Sequence, residues 1–132
     1  MDPQVLFILK VLSAVLFGGI IGWERHHEKK AVGIRTFVIV TVALTVLVHF
    51  AIETFSSDSS SRIIQGVLTG IGFLGAGAII RSDEKVRGVT TAASIYASSI
   101  ISILLGSAHF IEATTVALVV VIFLFVKEEQ FD

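Results

Sequence analysis

Five apolar stretches, residues 3–23, 33–55, 63–80, 89–106 and 108–126, are separated by short polar breaks and fill most of the 132-residue chain. Each holds about 18 to 23 residues, and at ~1.5 Å per residue a helix of that length crosses a hydrocarbon core ~30 Å thick. Inside such a core every backbone donor and acceptor must be satisfied within the protein, which repeated apolar spans achieve as helices. The pattern therefore predicts an all-α, polytopic membrane bundle of five transmembrane helices, forming one domain over residues 1–132. Composition points the same way. Charged residues make up 16% of the chain and its mean hydropathy is +0.89, against ~25% charged residues in a soluble domain. The first stretch lacks the pattern of a cleavable signal: no basic residue precedes it, and "GGIIGWER" offers no small-residue cleavage site.

Basic residues give the orientation. The connection "ERHHEKKAVGIR" carries Arg25, Lys29, Lys30 and Arg35, and "RSDEKVR" carries Arg81, Lys85 and Arg87, whereas "SSDSSSR" has only Arg62 and "GSAH" has none. With Lys127 in the tail, eight of the ten basic residues fall on one side, which the positive-inside rule makes cytoplasmic. The N-terminus is then outside and the C-terminus inside. Lys10 lies two turns into the first helix, where it must snorkel outward or face the bundle. "SSDSSS" reads as an exposed, flexible turn.

Several chemistries find no footing. A net charge of −1 gives no electrostatic footprint for nucleic acid, and the absence of cysteine removes disulfides, thiolate metal sites and a thiol nucleophile. No serine sits in a nucleophile elbow, so no catalytic residue is assigned. The stretch "GIGFLG" fits the dinucleotide fingerprint, but a charged loop follows it too soon for the required helix, and no acid lies about 20 residues on to hold a ribose. Neither a nucleotide nor another cofactor is expected. Glycine also lets helices approach closely. Gly66, Gly70 and Gly77 recur on one helical face, with Gly72 beside it and Gly75 in the same run; Gly18 and Gly22 are spaced four apart, and Ser94, Ser98, Ser102 and Gly106 form a four-residue stripe. These positions are expected to pack helices together.

Polar residues cluster in two places. Glu24, Arg25, Arg35, Thr36, Arg87, Thr90 and Thr91 bracket the basic loops, and the short connection can bring Glu24 to Arg35. This cluster is a candidate pocket for an anion, a lipid headgroup or a partner protein, or a set of interfacial ion pairs. Thr41, Thr45, His49 and Glu53 follow one another every four residues along the second helix, as a candidate proton or cation path or as an interhelical hydrogen-bond seam. His109 and Glu112 can approach His49 and Glu53, although helix ends in water need no metal and none is assigned. Sliding the chain by 55 residues aligns Gly22 with Gly77, Lys30 with Lys85, Gly33 with Gly88 and Thr36 with Thr91. The offset suggests a parallel repeat of two helical hairpins with a fifth helix added.

The stretches "GGIIGWERHHEKKAVGIRT", "RIIQGVLTGIGFLGAGAIIR" and "VRGVTTAASIYAS" resemble the membrane domain of the MgtC/SapB family over about residues 5–106. The motif positions are Gly22, Glu24, Arg25, Gly33, Arg35, Thr36, Gly70, Gly72, Phe73, Gly75, Gly77, Arg87, Gly88, Thr90 and Thr91. The sequence departs from the family pattern at Ser59, in place of an aspartate, at Tyr96, in place of a Trp, and at Ser102, in place of a Gly. The resemblance implies a bacterial inner-membrane protein of regulatory type. It links the chain to Mg²⁺ and energy homeostasis and stress adaptation, with membrane lipids and a second copy or another membrane protein as partners. The short SapB-like form, without a soluble C-terminal domain, is the closer comparison.

Overall fold

A computed structural model describes residues 1–126; the tail from Lys127, counted above among the cytoplasmic charges, lies outside them. The element order is α1 (Pro3–His27), α2 (Ile34–Thr54), α3 (Ser57–Ala78), β1 (Ile80–Ser82), β2 (Lys85–Arg87), α4 (Val89–Gly106) and α5 (Phe110–Leu124). The protein is a membrane helix bundle. Among the described residues, α1, α2 and α4 are long and apolar enough to cross a membrane, and α5, at 15 residues, is a shorter apolar helix. The 22-residue α3 opens on the polar run Ser57–Arg62, which dilutes its apolar length.

Two segments differ from expectation. "SSDSSS" is not a turn: Ser56 caps α3, accepting a hydrogen bond from the Ser59 amide at 3.3 Å, with Asp58 in the positive first turn. A serine N-cap followed by an acid satisfies the free amides of a helix start, so these residues begin the helix rather than delay it. The charged "RSDEKVR" loop is also more ordered than an all-α reading allows. It folds into an exposed two-stranded antiparallel hairpin pairing Ile80 with Arg87, Arg81 with Val86 and Ser82 with Lys85. Asp83, at φ 51°, makes the bend, a backbone conformation that Asp tolerates better than most residues.

Helix α4 touches each of the other four helices and so lies at the centre of the bundle. On one side it joins the antiparallel pair α1–α2; α3 and α5 pack on its other faces. Apolar residues from all five helices meet there, among them Ile21, Phe37, Ile71, Ile95, Ile101, Leu105 and Ala113. Gly88 starts α4 at φ +85°, and a Cβ there would collide with the Ala78 carbonyl oxygen. Only glycine fits both the left-handed backbone and the close pass of the α3 end. Its counterpart in the proposed repeat, Gly33, starts α2 in an extended conformation, so the two copies share a capping position but not its geometry.

Candidate functional site

Small residues set how closely the helices approach. On α1, Gly18 lies against Thr41, and a Cβ on Gly22 would come within 2.6 Å of the Ile34 Cα. On α4, a Cβ on Gly106 would come within 2.7 Å of the Val48 Cβ and 2.8 Å of the Thr45 carbonyl oxygen. Lipid tails are as apolar as side chains, so dense contact of this kind, together with interhelical hydrogen bonds, holds membrane helices together. The glycines of α3 behave differently. Nothing lies within 4 Å of a Cβ built on Gly66, Gly70, Gly72 or Gly77, and only Gly75 meets a neighbour, Ala92 at 3.7 Å. Among the described residues, the expected close contact at those four glycines is therefore absent. The reason is helical phase: α3 turns Val67, Ile71, Gly75 and Ala78 inward and leaves its other glycines on an open face beside Phe73, which is 82% exposed.

At the end of the bundle carrying the basic connections, Glu24 and Arg25 are almost fully buried. Arg25 donates from Nε to Glu24 Oε2 at 2.6 Å and from Nη2 to Oε1 at 2.9 Å, while its Nη1 donates to Thr91 Oγ1 at 3.3 Å. The two-pronged contact matches the planar guanidinium to the carboxylate and spares each the cost of an unpaired buried charge. Of the seven residues grouped here from sequence, the structure joins Glu24, Arg25 and Thr91. Arg35, Thr36 and Arg87 are exposed, and the anticipated Glu24–Arg35 pairing is replaced by Glu24–Arg25. Arg35 and Thr36 occupy the solvent side of the first turn of α2, whose inward residue is Phe37. Thr90 is half-buried and lines a cleft of about 330 Å³ between α4 and α5 with Ser94, Ala97 and Phe123.

The line along α2 lies against α1 and α4. Thr41 and Thr45 are fully buried, His49 is half-buried and Glu53 is exposed. Thr41 Oγ1 lies within donating distance of the Ala14 and Phe37 carbonyls, at 3.0 and 2.9 Å, and Ser102 Oγ donates to the Thr41 carbonyl at 3.2 Å. At the far end, Lys10 faces the bundle. It is 4% exposed, its Nζ lies 2.9 Å from His49 Nδ1, and it donates to the Gly106 carbonyl at 2.8 Å. That carbonyl belongs to the final turn of α4, where the helix dipole favours a cation. His49 and Glu53 border a cleft of about 510 Å³ with Gln4 and Phe7. His109 instead approaches Glu112 at 4.0 Å, and among the described residues no three or more His, Asp or Glu side chains gather as a metal site would require. Sequence spacing had singled out His49 and Glu53 but not Lys10 as their neighbour. The available signal was a lone lysine in an apolar stretch, because buried membrane charges seek partners.

Comparison with known proteins places these features in a family. The model of the MgtC family matches residues 11–131. Protein MgtC of Salmonella typhimurium strain LT2 is 38% identical over 114 residues, which cover 86% of this chain and 49% of that protein. Protein MgtC of Brucella abortus strain 2308 is 38% identical over 110 residues, covering 83% of this chain and 46% of the relative. The chain spans about half the length of the curated relatives it matches. No solved structure matches it.

Proposed function

The chain belongs to the MgtC family, and from that premise we propose that it is a non-enzymatic regulator of Mg²⁺-linked ion or energy homeostasis in the bacterial inner membrane. It acts by contact with another membrane protein or a second copy, and with lipid headgroups at the exposed Arg35 and Arg87. The basic connections are cytoplasmic and the N-terminus lies outside, as their charge favours. The observation that carries the reading is the open face of α3, where Gly66, Gly70 and Gly77 have no neighbour among the described residues and Phe73 stands exposed beside them. Small residues that admit a close helix are a common basis of helix association in membranes.

The chain has no cysteine, so Phe73→Cys introduces a single reporter thiol. In native membranes a maleimide–benzophenone photocrosslinker attached to that thiol, which inserts into C–H bonds of whatever lies against it, should give one discrete adduct at position 73. Ile111→Cys, on α5 at a residue 79% exposed, should give none. Equal labelling of both positions, or no adduct at 73, would exclude this face as a contact surface.

A second reading, conduction along the polar line of α2, is favoured by the buried hydroxyls of Thr41 and Thr45 beneath the cleft bordered by His49 and Glu53.

A further inference from the structure

Between α1, α2 and α4, polar groups continue from one end of the bundle to the other. Lys10 and His49 hold the far end. One helical turn further in come Thr45 and Ser102, then Thr41 and Ser98, then Ser94 and Thr91, and none of these six side chains is more than 2% exposed. Thr91 accepts from Arg25, which grips Glu24. Lys10 and Arg25, fifteen residues apart on α1, mark the two ends of the file, ~22 Å apart along the axis.

Two members of the file have no hydrogen-bond partner among the described residues: Thr45 Oγ1 and Ser98 Oγ are completely buried and unsatisfied. A hydroxyl so placed carries a desolvation cost unless something completes its bonding. Three of the remaining four hydroxyls donate to carbonyls, Ser94 to Thr90, Ser102 to Ser98 and Thr41 toward Phe37, and the fourth, Thr91, accepts from Arg25. Each still has lone pairs with which to accept. Opposite them α1 offers only Ala14 and Gly18, and Gly18 is already filled by Thr41. The file runs between buried apolar residues such as Phe37, Ile95 and Ile101, and the close approach of the helices at Gly18 and Gly106 leaves no width for a hydrated K⁺ or Mg²⁺.

We propose that the α1–α2–α4 seam is a proton path, entered from the far cleft at the Lys10–His49 pair, carried across by the hydroxyls of Thr45, Ser102, Thr41, Ser98, Ser94 and Thr91, and delivered to Glu24. This rests on the conduction reading and narrows it to H⁺. Lys10 Nζ and His49 Nδ1 lie 2.9 Å apart, within reach for a proton to pass between them, with Glu53 at the cleft as the acidic neighbour. Arg25 keeps its protons and serves to orient Glu24 and Thr91. The hydroxyls do not hydrogen-bond one another, so each step runs through a water bonded between neighbours: the water or hydroxyl accepts a proton on a lone pair and releases its own onward. One H⁺ enters, one leaves, and no electron moves.

The test uses the purified full chain in phosphatidylethanolamine–phosphatidylglycerol liposomes loaded with a pH dye, with a K⁺ diffusion potential set by valinomycin. Wild-type protein should carry H⁺ about tenfold faster than protein-free vesicles, and Thr45→Val or Ser98→Ala should remove about 80% or more of that excess by deleting a link. Thr114→Val, which removes an exposed hydroxyl on α5, should conduct like wild type. Full flux through Thr45→Val and Ser98→Ala would overturn the path. If those variants do not fold, the wild type decides. Passage of K⁺ or Mg²⁺, read by their own dyes without valinomycin, in the absence of H⁺ flux would overturn the proton inference and leave conduction standing. Silence for all three ions in helical, folded protein would remove both.

Discussion

Glu24 and Arg25 are neighbours in sequence, and adjacent side chains on a helix ordinarily point apart. Here both are interior, because Gly22 and Ile21 just before them lie on the buried face and Thr91 supplies a third polar contact. Breaking one half of a buried ion pair costs more than the pair is worth, since the survivor is left as a charge in a poor solvent. Glu24→Gln should therefore destabilise the protein by about 3 kcal/mol. Arg35→Ala, at an exposed position, should stay within about 0.5 kcal/mol. Unfolding followed by circular dichroism in mixed micelles reads both, and equal effects would contradict the buried-pair account. Sequence alone placed Glu24, Arg25 and Thr91 at one end of the bundle together with Arg35, Thr36 and Arg87. It could not say which cations go inside, because that depends on helix phase over a turn or less. Positions 34 to 36 turn outward and Phe37 turns in, a difference that neither charge nor spacing encodes.

Among the elements, α1 and α3 both carry glycines at helical spacing, yet the structure uses them oppositely. Gly22→Ala would push a methyl against the α2 backbone, where the nearest atom at 2.6 Å is a Cα that cannot rotate away. Overpacking of this kind costs about 1–3 kcal/mol. Gly70→Ala meets open space and trades a flexible residue for a better helix former, so folding should be unchanged or gain up to about 1 kcal/mol. Thermal unfolding of the two variants in one detergent should separate them by sign, and a matching loss for Gly70→Ala would mean that its face is occupied. The existence of the helices was legible because apolar length and punctuation suffice to specify them. The start of α3 was not, since a run of serines serves as turn and as helix cap equally well. Nor was the Ile80–Arg87 hairpin, whose short exposed strands carry no apolar alternation to announce them.

At the scale of the molecule, the charged hairpin and the α1–α2 connection share one end of the bundle, and the α2–α3 and α4–α5 connections share the other. The proposed orientation follows from that division and is open to labelling. Asp83→Cys, at the hairpin bend, should resist a membrane-impermeant maleimide applied to intact spheroplasts and react after lysis, whereas Ser57→Cys should react in both. The reverse pattern would invert the protein in its membrane. The central position of α4 bears on how the chain is made. Synthesis delivers α1 and α2 first, and that hairpin can close at once through Gly18, Gly22 and the Lys10–His49 contact. The Gly106 carbonyl for Lys10 and the serine face for Thr41 arrive only with the fourth helix. Until α4 has docked, the α1–α2 hairpin holds an ammonium that lacks one of its two acceptors, so the first two helices reach their final hydrogen bonding only when a helix made about fifty residues later joins them.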